Sequence, residues 1–271
     1  MKTPLLPATD LASLRSVVLL DARSRDDYER GHLPGALRAD LDGPLSSVAD
    51  PGFDPRAGGR HPLPPLERWT RQLGAWGIGP DSDVVIYDDQ AGANAAARAW
   101  WMLRAVGHER VAVLDGGLTA ALAAGLSTTA EEPTPDSREP YPANRWILPM
   151  VAIEEVDRLR RDPEWRVLDV RARERFRGET EPIDPIAGHI PGAINLPYPE
   201  NLADGRFRPA SELRRLYEQL LGDVSPERLV VHCGSGVTAC HTLLALEAAG
   251  LRGASLYVGS WSEWCRVHMT Q

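Results

Sequence analysis

The sequence has little cysteine, no excess of basic residues and no long apolar run. Its cysteines, Cys233, Cys240 and Cys265, are too few and odd in number for a disulfide framework, so a reducing compartment is expected. The formal net charge of −8 excludes a general nucleic-acid binder, which would need a basic surface. No apolar stretch approaches the roughly 18 residues of a membrane span.

The first twenty residues are interrupted by proline, aspartate and arginine, so they lack the continuous apolar segment of a signal peptide. We therefore expect a soluble cytoplasmic protein without a membrane or nucleic-acid partner. The length of 271 residues and an apolar content of 43% are sufficient for one large or two medium domains with cores of their own.

The chain repeats itself. "VVLLDARSRDDYERGHLPGALRADL" begins at Val17, and "WRVLDVRARERFRGETEPIDPIAGHIPGAINLP" begins at Trp165. Both predict a buried strand, an Asp-x-Arg turn, a short helix and a Gly-His-x-Pro-Gly-Ala turn. The matching pairs are Asp21 and Asp169, Arg23 and Arg171, Tyr28 and Phe176, and His32 and His189. The second copy carries an insertion, roughly "GETEPIDPIA", before its Gly-His.

A second pair of segments matches as strand, turn, helix and strand, "DSDVVIYDDQAGANAAARAWWMLRAVGHERVAVLDGG" with "PERLVVHCGSGVTACHTLLALEAAGLRGASLYVGS". Short Val, Ile and Leu runs alternating with helical patterns indicate parallel strands buried between helices. The proline-rich segment 126–144 predicts an extended linker. We therefore predict two α/β domains, at residues 1–125 and 145–271.

Cys233 follows the predicted strand "LVVH" and precedes the predicted helix "TACHTLLALEAAG". Ligands of open α/β sheets bind at this end of the strands. Gly234 and Gly236 allow successive amide groups to turn inward, and such a nest at a helix N-terminus would hold an anion or a thiolate. The first repeat has Asp88 or Asp89 at this position, and a carboxylate cannot act as a thiolate.

Three roles are open to Cys233. A buried structural cysteine is the simplest role of a lone cysteine, but the flanking glycines disfavour it. A phosphatase with a His-Cys-x5-Arg loop would need an arginine where the chain has Ala239, and phosphoryl transfer without it loses its main charge stabiliser. In sulfur transfer, the thiolate attacks a sulfane sulfur and becomes a persulfide, which suits the short loop from Cys233 to Thr238.

The two Gly-His-x-Pro-Gly-Ala segments, "CGSGVTAC" and "GSWSEW" resemble the rhodanese family, specifically its tandem-domain sulfurtransferases. The resemblance implies a parallel five-stranded sheet in each domain and a ping-pong reaction through a Cys233 persulfide. It also implies thiosulfate or 3-mercaptopyruvate as the small-molecule donor, cyanide or a thiol as acceptor, and a thioredoxin-like reductant as a candidate partner. The resemblance implies no metal or organic cofactor. A non-enzymatic sulfur carrier or binding module is the remaining alternative.

The sequence leaves the sulfur donor open between thiosulfate and 3-mercaptopyruvate. Thiosulfate enzymes of this family resemble one another in carrying basic residues after the cysteine, whereas Gly234 is uncharged here, as in the mercaptopyruvate type. That resemblance implies a proton relay from Ser235 through a histidine and an aspartate, and His61 and Asp42 are the matching residues. Asp42 as a turn residue and His61 as a surface loop residue are the alternative interpretations.

The resemblance also assigns the binding of the substrate carboxylate to arginines. Arg175 matches one of them. Ile183 stands where the mercaptopyruvate type has the second arginine, which weakens the assignment to that type. Arg177 could substitute for it, although a solvated position at a helix end fits Arg177 better. The predicted substrate contacts further include loop and wall residues: Gly234, Gly236, Val237, Thr238 and Trp261.

Other polar and aromatic residues are interpreted as structural. His32, His189, Asp169 and Arg171 recur in both repeats, one of which lacks the nucleophile, so we expect them to maintain the fold. His232 is expected to pack into the sheet. The residues expected to fill the cores are Cys240, Cys265, Trp100 and Trp101, while Trp261 and Trp264 could each fill the core or form a wall of the pocket.

Overall fold

A computed structural model of the protein describes residues 3–14 and 16–269. In chain order the elements are β1 (Leu5–Pro7), α1 (Ala8–Leu11), β2 (Val17–Asp21), α2 (Arg25–Arg30), β3 (Leu37–Arg38), α3 (Leu66–Ala75), β4 (Asp83–Tyr87), α4 (Ala96–Ala105), β5 (Val111–Asp115), α5 (Gly117–Ala123), α6 (Ile153–Leu159), β6 (Arg166–Asp169), α7 (Arg173–Phe176), β7 (Ile194–Asn195), β8 (Leu202–Ala203), β9 (Arg206–Phe207), α8 (Ala210–Leu221), β10 (Leu229–His232), α9 (Thr238–Ala248), β11 (Ser255–Leu256) and α10 (Ser260–His268). Short 3-10 turns lie at Tyr198–Asn201 and Pro226–Arg228.

The chain forms two compact units that do not follow the sequence continuously. The first comprises the residues up to Ser47, Pro64–Ile147 and Asp204–Phe207, and the second comprises Val48–Leu63, Leu148–Ala203 and the residues from Arg208 onward. The segment 48–63 thus lies between two stretches of the first unit in sequence but packs with the second. The proline-rich segment 126–144 is grouped with the first unit, where Arg138 and Tyr141 donate backbone hydrogen bonds to the carbonyls of Gly74 and Thr70.

The first unit contains a parallel five-stranded sheet of order β1-β5-β4-β2-β3. Its central strand β4 is buried along Val84–Tyr87, on both alternating faces. A strand buried on both faces must lie between layers of helices, so the continuous apolar run "VVIY" predicted this position correctly.

The second unit repeats this order with a sheet β11-β10-β6-β7, again parallel. The position of β1 is taken by an isolated parallel bridge from Met150 to Leu256. The predicted parallel α/β fold is confirmed for both units, while among the described residues the second sheet has four strands and this bridge instead of five strands.

The Asp-x-Arg turns of the two repeats are nearly identical. In each, the guanidinium Nη2 lies 2.6 Å from the aspartate Oδ2 and 2.7 Å from a glycine carbonyl, as Arg23 does with Asp21 and Gly31, and Arg171 with Asp169 and Gly188. These ion pairs are buried. A buried pair that recurs where one repeat lacks the nucleophile supports the interpretation that it maintains the turn.

The repeat histidines also occupy equivalent structural positions. His32 stacks on Tyr28 and His189 on Phe176, each with ring centroids 3.9 Å apart. Each Nδ1 atom lies within hydrogen-bond distance of the carbonyl of its stacking partner. Both histidines therefore join the short helix of their repeat to the following Gly-His turn.

None of the helices in residues 3–14 and 16–269 has the length and apolar character of a membrane span.

Candidate active site at the end of strand β10

Cys233 is the first residue after β10 and is only 2% exposed. Its amide donates a hydrogen bond to Ser260 Oγ at 3.1 Å, and its carbonyl accepts one from the amide of Trp261 at 3.0 Å. The next carbonyl, of Gly234, accepts from the amide of Ser262 at 2.9 Å. The first turn of α10 therefore fixes the start of the cysteine loop.

The equivalent loop of the first unit encloses a carboxyl group. Asp88 is the first residue after β4, as Cys233 is after β10, and its side chain is fully buried, whereas Asp89 is exposed. Five backbone amides donate to the Asp88 carboxylate at 2.8–3.2 Å: those of Gln90, Gly92, Asn94, Ala95 and Ala96. The loop between strand and helix in this repeat is therefore a ring of amide donors around one carboxyl group. Burial raises the pKa of this group, and the amide hydrogen bonds oppose that shift.

Gly236 is required by the geometry of the cysteine loop. Its φ is +74°, a left-handed conformation that disfavours other residues, and a Cβ at this position would lie 2.5 Å from the carbonyl oxygen of Val258. The loop backbone can approach the turn after β11 only because this side chain is absent. Val237 is buried, and the half-buried Thr238 begins α9.

Two guanidinium groups approach the loop at Gly234. A Cβ on this glycine would lie 3.3 Å from Arg60 Nη2 and 3.6 Å from both Nη atoms of Arg175. Arg175, which the sequence predicted as a substrate-binding residue, is the third residue of α7. Arg60 belongs to the segment 48–63, and sequence reasoning missed it, although it directly precedes His61 in "GGRHPLP".

Carboxylates from the insertion in the second repeat hold these arginines. Glu181 Oε1 lies 2.6 Å from Arg175 Nη2, and its other oxygen lies 3.2 Å from Arg171 Nη1. Asp184 forms ion pairs with Arg60 and, at 2.9 Å, with Arg266. Burial opposes ionisation of Asp184, but its ion pairs with Arg60 and Arg266 outweigh burial and lower the pKa of this carboxyl group.

The structure brings Ser235 and His61 together. The Nδ1 atom of His61 lies 2.8 Å from Ser235 Oγ, and the serine is buried while the histidine is half-buried. Gly58 and Gly59 anchor the histidine's segment: the Gly58 amide donates to Glu263 Oε1 at 2.8 Å, and a Cβ on Gly59 would clash with the carbonyl oxygen of Gly259. Asp42 is an exposed turn residue of the first unit.

Trp261 and Trp264 lie in the hydrophobic core of the second unit, next to Val230 and Tyr257. The indole of Trp261 is 0% exposed, and its Nε1 donates to the carbonyl of Ile186 at 2.9 Å. The Trp261 side chain therefore packs in the core, and its backbone amide is the part of the residue that binds the cysteine loop.

His232 is fully buried at the end of β10. Burial lowers the pKa of its imidazole, and Nδ1 lies 3.2 Å from the carbonyl oxygen of Cys233. The imidazole ring of His232 is therefore neutral at physiological pH and packs at the end of the buried strand.

Cys240 and Cys265 are also buried, and burial raises the pKa of the Cys265 thiol. No group of three or more His, Cys, Asp or Glu side chains in the described ranges could hold a metal ion.

Comparisons with known proteins agree on the family. The model of the rhodanese-like domain matches residues 8–124 and 152–267. A probable 3-mercaptopyruvate sulfurtransferase of Pseudomonas aeruginosa is 45% identical over 241 residues, covering 88% of this chain and 82% of the relative. A putative thiosulfate sulfurtransferase, SseB, of Mycobacterium tuberculosis is 38% identical over 272 residues, covering 96% and 93%.

A solved structure supports the same assignment. The 3-mercaptopyruvate sulfurtransferase of Leishmania major superimposes with a TM-score of 0.85 at 30% sequence identity. The match covers 98% of this chain and 75% of that structure. The similarity in sequence and in fold therefore extends through both units.

Proposed function

This chain belongs to the family of rhodanese-like domain proteins, and on that premise we propose that it transfers sulfur through a persulfide on Cys233. Its relatives and structural neighbours are named as 3-mercaptopyruvate and thiosulfate sulfurtransferases, which supports sulfur transfer. The family resemblance inferred from the repeats and the cysteine loop is thereby confirmed.

The observation that carries the proposal is the position of Cys233. A buried thiol stands where the other repeat encloses a carboxylate in five amide hydrogen bonds. A loop that donates amide hydrogen bonds to a carboxylate in one repeat can donate them to the terminal sulfur of a persulfide in the other, because amide donors stabilise a charged acceptor. The same surroundings exclude bulk water, which protects the persulfide.

With 3-mercaptopyruvate, the Cys233 thiolate attacks the donor sulfur. An S–S bond forms, the C–S bond breaks, and its electron pair goes to carbon as the enolate of pyruvate, so both sulfurs are oxidised and the carbon is reduced. The enolate then takes one proton, and the net products are the enzyme persulfide and pyruvate. With thiosulfate, the same attack releases sulfite without a proton. A thiolate or cyanide acceptor then removes the outer sulfur and restores Cys233.

The protonated product distinguishes the donors. Carbon can be protonated efficiently only by a positioned acid, and the Ser235 hydroxyl, in contact with His61, supplies one in the cysteine loop. Sulfite needs none. We therefore propose 3-mercaptopyruvate as the preferred donor. Ser235 donates a proton to the enolate, and His61 then returns a proton to Ser235.

Asp42 is proposed as the third member of the relay on the sequence resemblance. An aspartate in this role would stabilise the histidine in its protonated form. Asp42→Asn should then lower turnover with 3-mercaptopyruvate and leave turnover with thiosulfate unchanged. Wild-type turnover with 3-mercaptopyruvate, or an equal loss with both donors, would remove Asp42 from the relay. A cytoplasmic location and a thioredoxin-like reductant as sulfur acceptor complete the proposal.

The deciding experiment compares steady-state rates with 3-mercaptopyruvate and with thiosulfate, using Cys233→Ser as control. Mass spectrometry after exposure to either donor should show one added sulfur atom on Cys233 and none in the variant. Absence of a persulfide with both donors would contradict sulfur transfer. Turnover of an aryl phosphate would instead support a phosphatase, and a stable persulfide that no acceptor can discharge would support a sulfur carrier.

A further inference from the structure

Guanidinium groups from two different chain segments lie close to Gly234. Arg60 Nη2 would lie 3.3 Å, and the two Nη atoms of Arg175 3.6 Å, from a Cβ at this glycine. Gly234 directly follows Cys233 in the loop. A small anion held by both guanidinium groups would therefore lie beside the sulfur, with room left by the missing side chain.

The two arginines are fixed by separate carboxylates. Glu181 binds Arg175 and also accepts hydrogen bonds from the amides of Ile183 and Asp184, each at 3.1 Å, which fixes the orientation of its carboxylate. Asp184 binds Arg60 and lies 3.7 Å from Arg175. Because both carboxylates are almost fully buried, the guanidinium groups are oriented before a substrate arrives.

The described ion pairs link these arginines into one cluster beside the cysteine loop. Glu181 binds both Arg171 and Arg175. Asp184 binds Arg60 and Arg266. A planar carboxylate suits this arrangement because a guanidinium binds it through paired hydrogen bonds.

We propose that Arg60 is the second donor-binding cation of the site and takes the role of the arginine that is missing at Ile183. Ile183 itself is 55% exposed. The ligand class is the carboxylate of a 2-oxo acid thiol, or the chemically similar sulfonate end of thiosulfate. Glu181 and Asp184 are positioning residues, which act through Arg175 and Arg60. This inference rests on the sulfur transfer proposed above.

The test compares Arg60→Ala and Arg60→Lys with Arg56→Ala, which removes an exposed arginine from the same segment. We expect Arg60→Ala to lower kcat/KM for 3-mercaptopyruvate by about 10- to 100-fold, mainly through KM, because one charge-assisted interaction is lost. Arg60→Lys should recover part of the loss. The KM for cyanide should be unchanged, and Arg56→Ala should behave as wild type.

The carboxamide analogue of 3-mercaptopyruvate separates donor binding from a structural role. It retains the sulfur and the keto group but lacks the negative charge, so its rate of Cys233 persulfide formation should be nearly the same in wild type and Arg60→Ala. An equal loss with the charged and uncharged donors, or wild-type kinetics of Arg60→Ala with 3-mercaptopyruvate and thiosulfate, would overturn the assignment. If wild type forms no persulfide with any donor, the proposed function fails instead.

Discussion

The imidazole Nδ1 of His61 lies 2.8 Å from the hydroxyl oxygen of Ser235, although 174 residues separate them in the chain. The contact joins the segment 48–63 to the cysteine loop within the second unit. In the proposed reaction, this contact places a proton-transferring pair in the same loop as Cys233.

Removal of the Ser235 hydroxyl should affect the two donors differently. Ser235→Ala is expected to lower kcat with 3-mercaptopyruvate by about 100-fold, since a positioned acid contributes at least that much to protonation of carbon. Turnover with thiosulfate should stay near the wild-type value because sulfite leaves without a proton. Paired steady-state assays measure both rates. Equal losses with the two donors would show that the serine only maintains the structure of the loop and donates no proton.

Gly236 should not tolerate a side chain. In Gly236→Ala, a Cβ 2.5 Å from the Val258 carbonyl must displace the cysteine loop, so persulfide formation should be lost or severely slowed. Gly205→Ala is the matched control, because Gly205 has nearly the same φ, +73°, with nothing within 4 Å of the added Cβ. It should cost about 1–2 kcal/mol of conformational strain and leave persulfide formation intact, as mass spectrometry of both variants would show.

Asp88 should stabilise the first unit. Asp88→Asn replaces one acceptor oxygen by an NH₂ group that faces backbone amide donors, so some of the five hydrogen bonds must be lost. A decrease of about 1–3 kcal/mol in the free energy of unfolding is expected for each amide left without an acceptor. Urea denaturation measures it against Asp89→Asn, which changes the adjacent exposed residue. Equal stability of the two variants would contradict the role of the amide ring.

The ion pairs of Asp184 should appear as acid sensitivity. Burial acts to raise the pKa of Asp184, but its bonds to Arg60 and Arg266 lower it below the ordinary value of 3.8. A carboxyl group whose pKa is lower in the folded state stabilises fully above its unfolded pKa, and this stabilisation is lost as the pH falls through the folded value. Unfolding free energy should therefore fall more steeply below about pH 4 in wild type than in Asp184→Asn.

Urea denaturation across this pH range would measure the difference. Asp223→Asn, a change at an exposed aspartate, provides the control and should follow the wild-type curve. Parallel curves for wild type and Asp184→Asn would show that the aspartate contributes nothing through its charge.

Much of the fold was predictable because its signals are local. The apolar run of β10, the glycines after Cys233 and the helical spacing of α9 lie within one short stretch, and the structure has these elements where the pattern placed them. The replacement of a fifth strand by a single bridge, among the described residues of the second unit, was not predictable in this way. Met150 contributes only a single bridge, and whether an edge segment pairs over several residues depends on the packing around it.

Arg60 could not be found from the sequence because its role depends on tertiary contacts. Its partner Asp184 lies in the insertion of the other repeat. The family resemblance places the second arginine in that insertion, where this chain has Ile183. Trp261 illustrates the same limit, since an aromatic residue near a loop can wall a pocket or fill a core, and only packing decides between them.

The placement of the segment 48–63 with the second unit bears on how the chain could be shortened. A fragment that began after the proline-rich segment would contain Cys233, Arg175 and both insertion carboxylates, yet it would lack His61 and Arg60. The repeat that holds the cysteine would then be missing two groups of the proposed reaction.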